Sequence, residues 1–218
     1  MNYHRFFAFG CSFTKWKWKT WADLLAEKLK CTYYNFAEPA VGNEYILHKL
    51  IEANAKYKFN NKDLVIVCWT NFAREDRYKN NKWIASGNMY RYAVYDKKWV
   101  DEWFDLKGSF IKTSAAIAAS THLLKDTKTN YLYSSMMPMT LINKDDLLYK
   151  DLDVDDVLEL YNDYYKEFLP SMVGYLYNSL PHCINPAPQV PRDHHPSELQ
   201  HRIYVNEVLC PALEKSHV

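Results

Sequence analysis

The 218-residue sequence lacks the features by which membrane, secreted and nucleic-acid-binding proteins are usually recognised. It has no apolar run of about 18 residues, so no membrane-spanning helix is expected. Its 27 basic and 26 acidic residues give a formal net charge of +1, so no overall field attracts nucleic acid or a membrane surface. No secretory signal precedes the first apolar segment. We therefore expect a cytoplasmic protein with neither nucleic acid nor a membrane as a partner.

Paired cysteines are also missing. The five cysteines are odd in number, widely spaced and without a C-x-x-C pair: Cys11, Cys31, Cys68, Cys183 and Cys210. This usage favours reduced thiols in a cytoplasm-like compartment over a disulfide framework. Cys11 lies beside Ser12 and is a rival nucleophile. A small cysteine after an apolar strand is more often a buried core residue.

Aromatic residues are abundant, whereas glycine is scarce. Phe, Trp and Tyr make up 16% of the chain, with seven Trp and eighteen Tyr against only five Gly. Many of them fall at about 74–108, a polar and aromatic segment without a clear period. We interpret this segment either as a lid over a cleft or as a peripheral hairpin with its own aromatic cluster. Such a surface would stack on something flat or sugar-like.

Strand and helix patterns alternate along the chain, which favours a parallel sheet flanked by helices in one domain spanning 1–218. Thr20 and Asp23 indicate a helix start with a capping box. A continuous apolar run at 64–69 is typical of a central strand covered on both faces. Further strands are predicted at 6–9, 31–36 and 130–135, and helices at 20–29, 45–56, 111–125, about 151–168 and 197–214.

The first predicted strand ends in a turn of small residues, Gly10-Cys11-Ser12. In open α/β sheets, ligands bind outside the carboxyl ends of the strands. Ser12 is therefore a candidate nucleophile if a base lies within reach. The alternative is a plain turn in which Ser12 caps the next segment.

A second cluster of reactive side chains precedes the last predicted helix. Asp193, His194 and His195 lie in a proline-bounded loop. A hydroxyl nucleophile needs a base to take its proton, and the base needs a partner that fixes its tautomer. A metal site that also uses His201 or His182 is an alternative, but adjacent side chains seldom converge on one ion and no H-x-x-x-H spacing is present. A solvated loop is the third interpretation.

Four spaced segments of the sequence carry the candidate site residues: Gly10-Cys11-Ser12-Phe13-Thr14, Ala40-Val41-Gly42-Asn43, Trp69-Thr70-Asn71 and Asp193-His194-His195-Pro196. Together these segments resemble the four blocks of the SGNH (GDSL-type) hydrolases, in the same order. The resemblance covers about residues 4–210 and is strongest to the compact versions found in phage and environmental bacteria. It implies a three-layer αβα sandwich with a central parallel sheet, the flavodoxin-like SGNH fold, and no metal or organic cofactor.

The resemblance assigns a role to each block. Ser12 is the nucleophile and His195 the base, while the N–H groups of Ser12 and Gly42 and the Asn71 amide form the oxyanion hole. Two departures affect these assignments. The third block lacks its usual Gly and following Asp, and only one residue separates Asp193 from His195 where the family has two. Asp193 would orient His195 from an altered turn, or a backbone carbonyl would do so in a Ser–His dyad. His194 is the next candidate for the base.

The implied function is a serine esterase that removes acetyl or another small acyl group, with a small-molecule or glycan ester as substrate. We predict Trp16, Arg74 and Trp83 as substrate-binding residues. A lipase or thioesterase is an alternative within the class. A non-catalytic glycan-binding or virion-associated module is the alternative outside it, and a phage origin would place the protein in the host cytoplasm or the virion. Surface aromatic residues would serve a homo-oligomer equally well.

Overall fold

The fold is built on a parallel β-sheet. The computed structural model describes residues 3–139, 151–179 and 195–215. The strands within these ranges are β1 (Arg5–Phe9), β2 (Thr32–Asn35), β3 (Asp63–Trp69), β4 (Arg74–Lys79), β5 (Lys82–Asn88) and β6 (Asn130–Ser135). Four of them form the sheet in the parallel order β2-β1-β3-β6. A parallel bridge from Tyr133 to Phe168 extends the sheet beyond β6.

Helices cover both faces of this sheet. They are α1 (Trp21–Leu29), α2 (Asn43–Tyr57), α3 (Lys97–Trp103), α4 (Leu106–Asp126), α5 (Asp155–Tyr165), α6 (Met172–Ser179), α7 (Glu198–Tyr204) and α8 (Cys210–Lys215), with a π-helical turn between the last two. One group packs α1 against α7, and the other packs α4 against α2 and α5. The predicted three-layer αβα sandwich is confirmed. Among the described residues, no helix combines the length and apolar character needed to cross a membrane.

The core forms where the sequence predicts it. All seven residues of β3 are buried, as expected for a strand between two neighbours and two helical layers. In β1, Phe6, Phe7 and Phe9 are fully buried. The Phe7 ring stacks on Tyr34 of β2 at 5.0 Å between centroids. Each such side chain contributes about 1.5–3 kcal/mol by leaving water, so burial of these rings stabilises β1 within the sheet.

The aromatic segment at 74–108 contains an antiparallel hairpin of β4 and β5. Asn80 and Asn81 form its two-residue turn, both with positive φ (53° and 61°). Tyr78 and Trp83 face each other across the strands, with ring centroids 5.5 Å apart. A peripheral hairpin with its own aromatic cluster is thus the interpretation that the structure supports. Its action as a lid stays a prediction.

Candidate active site

Ser12 lies in a tight turn directly after β1. The amides of Thr14 and Lys15 both donate to the Cys11 carbonyl, at 2.9 and 3.2 Å, and the turn follows from these bonds. Glycine is required at position 10, because a Cβ there would come within 3.0 Å of the Cys68 carbonyl oxygen. Ser12 is only 5% exposed. The turn thus holds the hydroxyl at the carboxyl edge of the sheet, as predicted.

Asn71 follows β3, the neighbour of β1. Its Oδ1 accepts the Ala73 N–H at 2.6 Å, which leaves the amide Nδ2 as the donor end of the side chain. The backbone before it is fixed by Asn43 of α2, whose side chain accepts the Thr70 N–H at 2.8 Å and donates to the Thr70 carbonyl at 3.0 Å. Ser12 and Asn71 therefore follow adjacent strands at the point where the chain reverses its direction across the sheet, which is the usual ligand site of such folds.

Gly42 has a different partner from the predicted one. Its N–H donates to Asp76 Oδ1 at 2.7 Å, and the Tyr45 N–H donates to Asp76 Oδ2 at 2.9 Å. Asp76, on the hairpin, therefore caps the first turn of α2. A Cβ on Gly42 would lie 2.8 Å from Asp76 Oδ2, so this close approach requires glycine. The role of Gly42 as an oxyanion donor stays a prediction, and it requires the N–H to exchange the carboxylate for the substrate oxygen.

The Asp76 carboxyl is itself perturbed. Burial raises its pKa from 3.8 to about 6, although the Tyr45 and Gly42 N–H groups act in the opposite direction. A raised pKa in the folded state means that the stability contribution of Asp76 is fully present below about pH 3.8 and is lost as the pH rises through about 6. Near neutral pH the cap is a buried carboxylate that its hydrogen bonds compensate only in part.

We expect Asp76→Asn to gain stability relative to wild type as the pH rises. The amide oxygen accepts only one of the two N–H groups, which changes the free energy of unfolding by an amount that does not vary with pH. The amide carries no charge, so it has no desolvation cost that grows as the pH rises. The difference in free energy of unfolding should shift toward the variant by about 3 kcal/mol between about pH 4 and pH 8. Urea unfolding at several pH values measures it, with exposed Asp126→Asn as the control. A difference that stays constant with pH would contradict the assignment.

His195 is held by the segment that follows Ser12. Its ring stacks on Trp16 at 3.7 Å between centroids and 19° between planes, and it contacts Phe13 at 5.6 Å. Trp18 Nε1 donates to the Pro196 carbonyl at 2.9 Å. The structure therefore brings the predicted base to the segment that directly follows the predicted nucleophile. Trp16, predicted to bind substrate, packs against the predicted base.

Of the other members of the predicted metal cluster, only His201 lies in the described part of the chain. Asp193, His194 and His182 lie outside the described residues, so their roles stay predictions. His201 is fully buried on α7. Burial, with a smaller contribution from nearby His195, lowers the pKa of His201 to about 3, so this imidazole is neutral at physiological pH. No group of three His, Cys, Asp or Glu residues that could hold an ion occurs within the described ranges.

Arg74 and Trp83, predicted together as substrate-binding residues, lie in different places. Arg74 Nη1 donates to the Val41 carbonyl at 2.7 Å, beside Gly42. Trp83 packs on Tyr45 and His48 of α2, at 5.7 and 5.1 Å between ring centroids. It lines a cavity of about 580 Å³ between the hairpin and α2. The structure thus places Arg74 at the edge of the sheet and Trp83 farther along the hairpin.

Several solved structures share this architecture over nearly their whole length. The psychrotrophic esterase EstA from Pseudoalteromonas sp. is 10% identical with a TM-score of 0.55, over 97% of both chains. TesA is 12% identical with a TM-score of 0.53, over 93% of this chain and 94% of that one. A member of the lipolytic G-D-S-L family from Veillonella parvula is 14% identical with a TM-score of 0.52, over 93% and 94%. The chain has the SGNH hydrolase fold.

Structure comparison shows the SGNH fold, whereas comparison of the whole sequence with known families and curated proteins does not detect it. No protein-family model matches the sequence, and no curated protein is detectably similar to it. At identities of 10–14%, the similarity shows the fold and leaves the chemistry to the residues of this chain. Sequence reasoning missed two residues of the site, Asp76 and Trp18. Nothing in their local sequence indicates that one caps α2 and the other binds Pro196.

Proposed function

We propose that the protein is a serine hydrolase that acts on ester bonds, with Ser12 as nucleophile and His195 as base. One observation carries this proposal: the turn that bears Ser12 continues into the aromatic segment on which the His195 ring is stacked, at the edge of the sheet where Asn71 also lies. The fold supports the same reading, since the fold neighbours include an esterase and a lipolytic protein.

The reaction has two steps. His195 takes the Ser12 proton as Oγ attacks the ester carbonyl, and the imidazolium then protonates the departing alcohol. The Ser12 N–H and the Asn71 amide stabilise the negative oxygen of the tetrahedral intermediate, together with Gly42 once its N–H has left Asp76. In the second step, water attacks the acyl-enzyme, with His195 again taking the proton, and the acid and free Ser12 are released. Asp193 would orient His195 in both steps.

The substrate of this proposal is a small acyl ester, probed first as acetyl. Ester hydrolysis in general is supported by the fold neighbours, whereas an acetylated carbohydrate is supported by the aromatic residues of the hairpin, whose rings suit sugar faces. A direct test compares p-nitrophenyl acetate with p-nitrophenyl butyrate and with acetylated oligosaccharides. We expect turnover of the acetyl esters and a lower kcat/KM for butyrate. Absence of turnover for every ester would contradict the proposal.

A non-catalytic glycan-binding module is the second candidate function. The observation that favours it is the hydrogen bond from the Gly42 N–H to Asp76, which engages a predicted oxyanion donor. A glycan array distinguishes the two candidates. Binding that is unchanged in Ser12→Ala, without turnover of any bound glycan by wild type, would favour the module. Release of acetate from an arrayed glycan by wild type, but not by Ser12→Ala, would favour the hydrolase.

A further inference from the structure

Arg74 is a charged side chain at the candidate site, and no carboxylate of the described residues forms a hydrogen bond with it. Its Nη1 donates to the Val41 carbonyl at 2.7 Å. Its Nη2 contacts only the Met136 Sδ, at 3.8 Å. Its Nε is buried with no hydrogen-bond partner in the described part of the chain. The guanidinium thus has one strong acceptor for its five N–H donors.

The buried Nε–H shares one edge of the guanidinium with an N–H of Nη2. Nε and the neighbouring Nη2 point in parallel, and this edge matches the two oxygens of a carboxylate. A thioether is a weak acceptor, so Met136 does not satisfy it. Buried polar groups without partners are rare in folded proteins and need an explanation. A ligand carboxylate would supply both missing acceptors at once.

Nearby carboxylates of the described residues are already engaged. Glu75 Oε1 lies 3.9 Å from Arg77 Nη2, and Glu75 Oε2 lies 3.6 Å from Lys112 Nζ. Both oxygens of Asp76 accept backbone N–H groups of α2. Neither side chain therefore pairs with the free edge of Arg74. Within the described ranges, Asp76 feels the charge of Arg74, but the free edge of the guanidinium has no carboxylate bonded to it.

The Arg74 edge also lies close to the candidate catalytic residues. Met136 Sδ, which contacts Arg74, also contacts Cys11 Sγ at 3.9 Å and Thr70 Oγ1 at 3.8 Å. Cys11 directly precedes Ser12, and Thr70 directly precedes Asn71. Met136 therefore covers the space between the guanidinium and the ends of β1 and β3. A methionine side chain is flexible, so it can move aside for a ligand.

We propose that Arg74 binds a carboxylate group of the substrate, so that the preferred esters are anionic. This inference rests on the proposed ester hydrolysis at Ser12 and names its substrate class. The carboxylate accepts from Nε and Nη2 after Met136 moves away, while Nη1 keeps the Val41 carbonyl. Arg74 then fixes the substrate beside Ser12, and a neutral ester of the same shape lacks this anchor.

The test compares pairs of esters in which one member carries a free carboxylate and the other carries the same group as a neutral methyl ester, with cleavage of the acetyl or phenyl ester measured in both. One pair carries the charge on the alcohol side, 3-acetoxybenzoate and its methyl ester. The other pair carries it on the acyl side, phenyl hydrogen adipate and phenyl methyl adipate. The ratio of kcat/KM within each pair is measured for wild type, Arg74→Gln and Arg74→Lys. Lys79→Gln is the matched control, because it removes one exposed positive charge from the same strand.

We expect wild type to prefer the anionic ester of at least one pair by about 10- to 100-fold, the usual effect of hydrogen bonds to a charged group. Arg74→Gln should reduce the ratio to nearly one, Arg74→Lys should retain part of it, and Lys79→Gln should retain all of it. Circular dichroism verifies the fold of each variant. Equal rates within both pairs in wild type, or a preference that survives Arg74→Gln, would overturn the inference.

A binding measurement separates this inference from the proposed function. Calorimetry with Ser12→Ala measures the affinity for the same esters without turnover. If Ser12→Ala binds the anionic ester more tightly and the added Arg74→Gln change removes the difference, the Arg74 site stands even where wild type hydrolyses nothing. If wild type hydrolyses both esters of each pair equally and Ser12→Ala binds them equally, the hydrolase stands and the Arg74 inference fails.

Discussion

Replacing Ser12 with alanine is expected to lower kcat for p-nitrophenyl acetate by about 10,000- to 1,000,000-fold, with KM nearly unchanged. The hydroxyl is the only group in the proposed mechanism that forms a covalent bond to the acyl carbon. Losing it leaves only water attack assisted by the remaining donors. Steady-state kinetics measures the loss, and circular dichroism checks the fold.

Cys11→Ala is the matched control for that loss. Cys11 is fully buried beside Ser12 and is the rival nucleophile in the sequence. The control variant should keep kcat within a few-fold of wild type. Activity that survives Ser12→Ala but disappears in Cys11→Ala would transfer the nucleophile to the thiol.

Replacing His195 with alanine should have an effect of similar size, about 1,000- to 1,000,000-fold in kcat, because Ser12 then has no base to take its proton. His195→Phe is the sharper variant. It keeps a ring to stack on Trp16 but cannot accept a proton, so it separates catalysis from packing. The exposed His122→Ala serves as the control. Comparable kcat values in His195→Phe and wild type would contradict the assignment.

The sheet could be predicted because its strands carry their own signal. Residues 130–135 read as a strand and form β6 over the same residues. The predicted start of α4 at 111 was wrong, because the helix begins five residues earlier, at Leu106. The prediction ignored Asp105, whose side chain caps the helix by accepting the Gly108 N–H. α6 was not predicted: it has eight residues, and its Val, Gly and Tyr have low helix propensity.

The sequence did not decide between a lid and a peripheral hairpin for the segment at about 74–108, because its turn carries a weak signal. Its turn is Asn80-Asn81, with both residues in the left-handed region, whereas the strongest sequence signal for such a turn is Asn-Gly. Tyr78 and Trp83, two residues before and after that turn, were the further signal. The extent of the hairpin follows from cross-strand packing, which no local pattern contains.

The candidate site likewise contains residues that the sequence could place and contacts that it could not. Ser12 and Asn71 could be placed from the sequence, because each follows an apolar strand and parallel strands end at one edge. The loop with Asp193, His194 and His195 was a candidate for the base on its chemistry, and the family resemblance singled out His195. The contacts of Asp76 with α2 and of Trp18 with Pro196 join residues 31 to 178 positions apart, and such contacts depend on the finished fold.

The hydrogen bond from Trp18 to Pro196 has a consequence for biosynthesis. It spans 178 positions of the chain and secures the loop that bears His195. The ribosome releases Ser12 long before His195. If the proposed mechanism holds, a nascent chain carries the nucleophile without its base until residue 195 has been released, and it is chemically silent until then. Onset of ester cleavage in a cell-free translation reaction would consequently report the moment at which the segments around Ser12 and His195 meet.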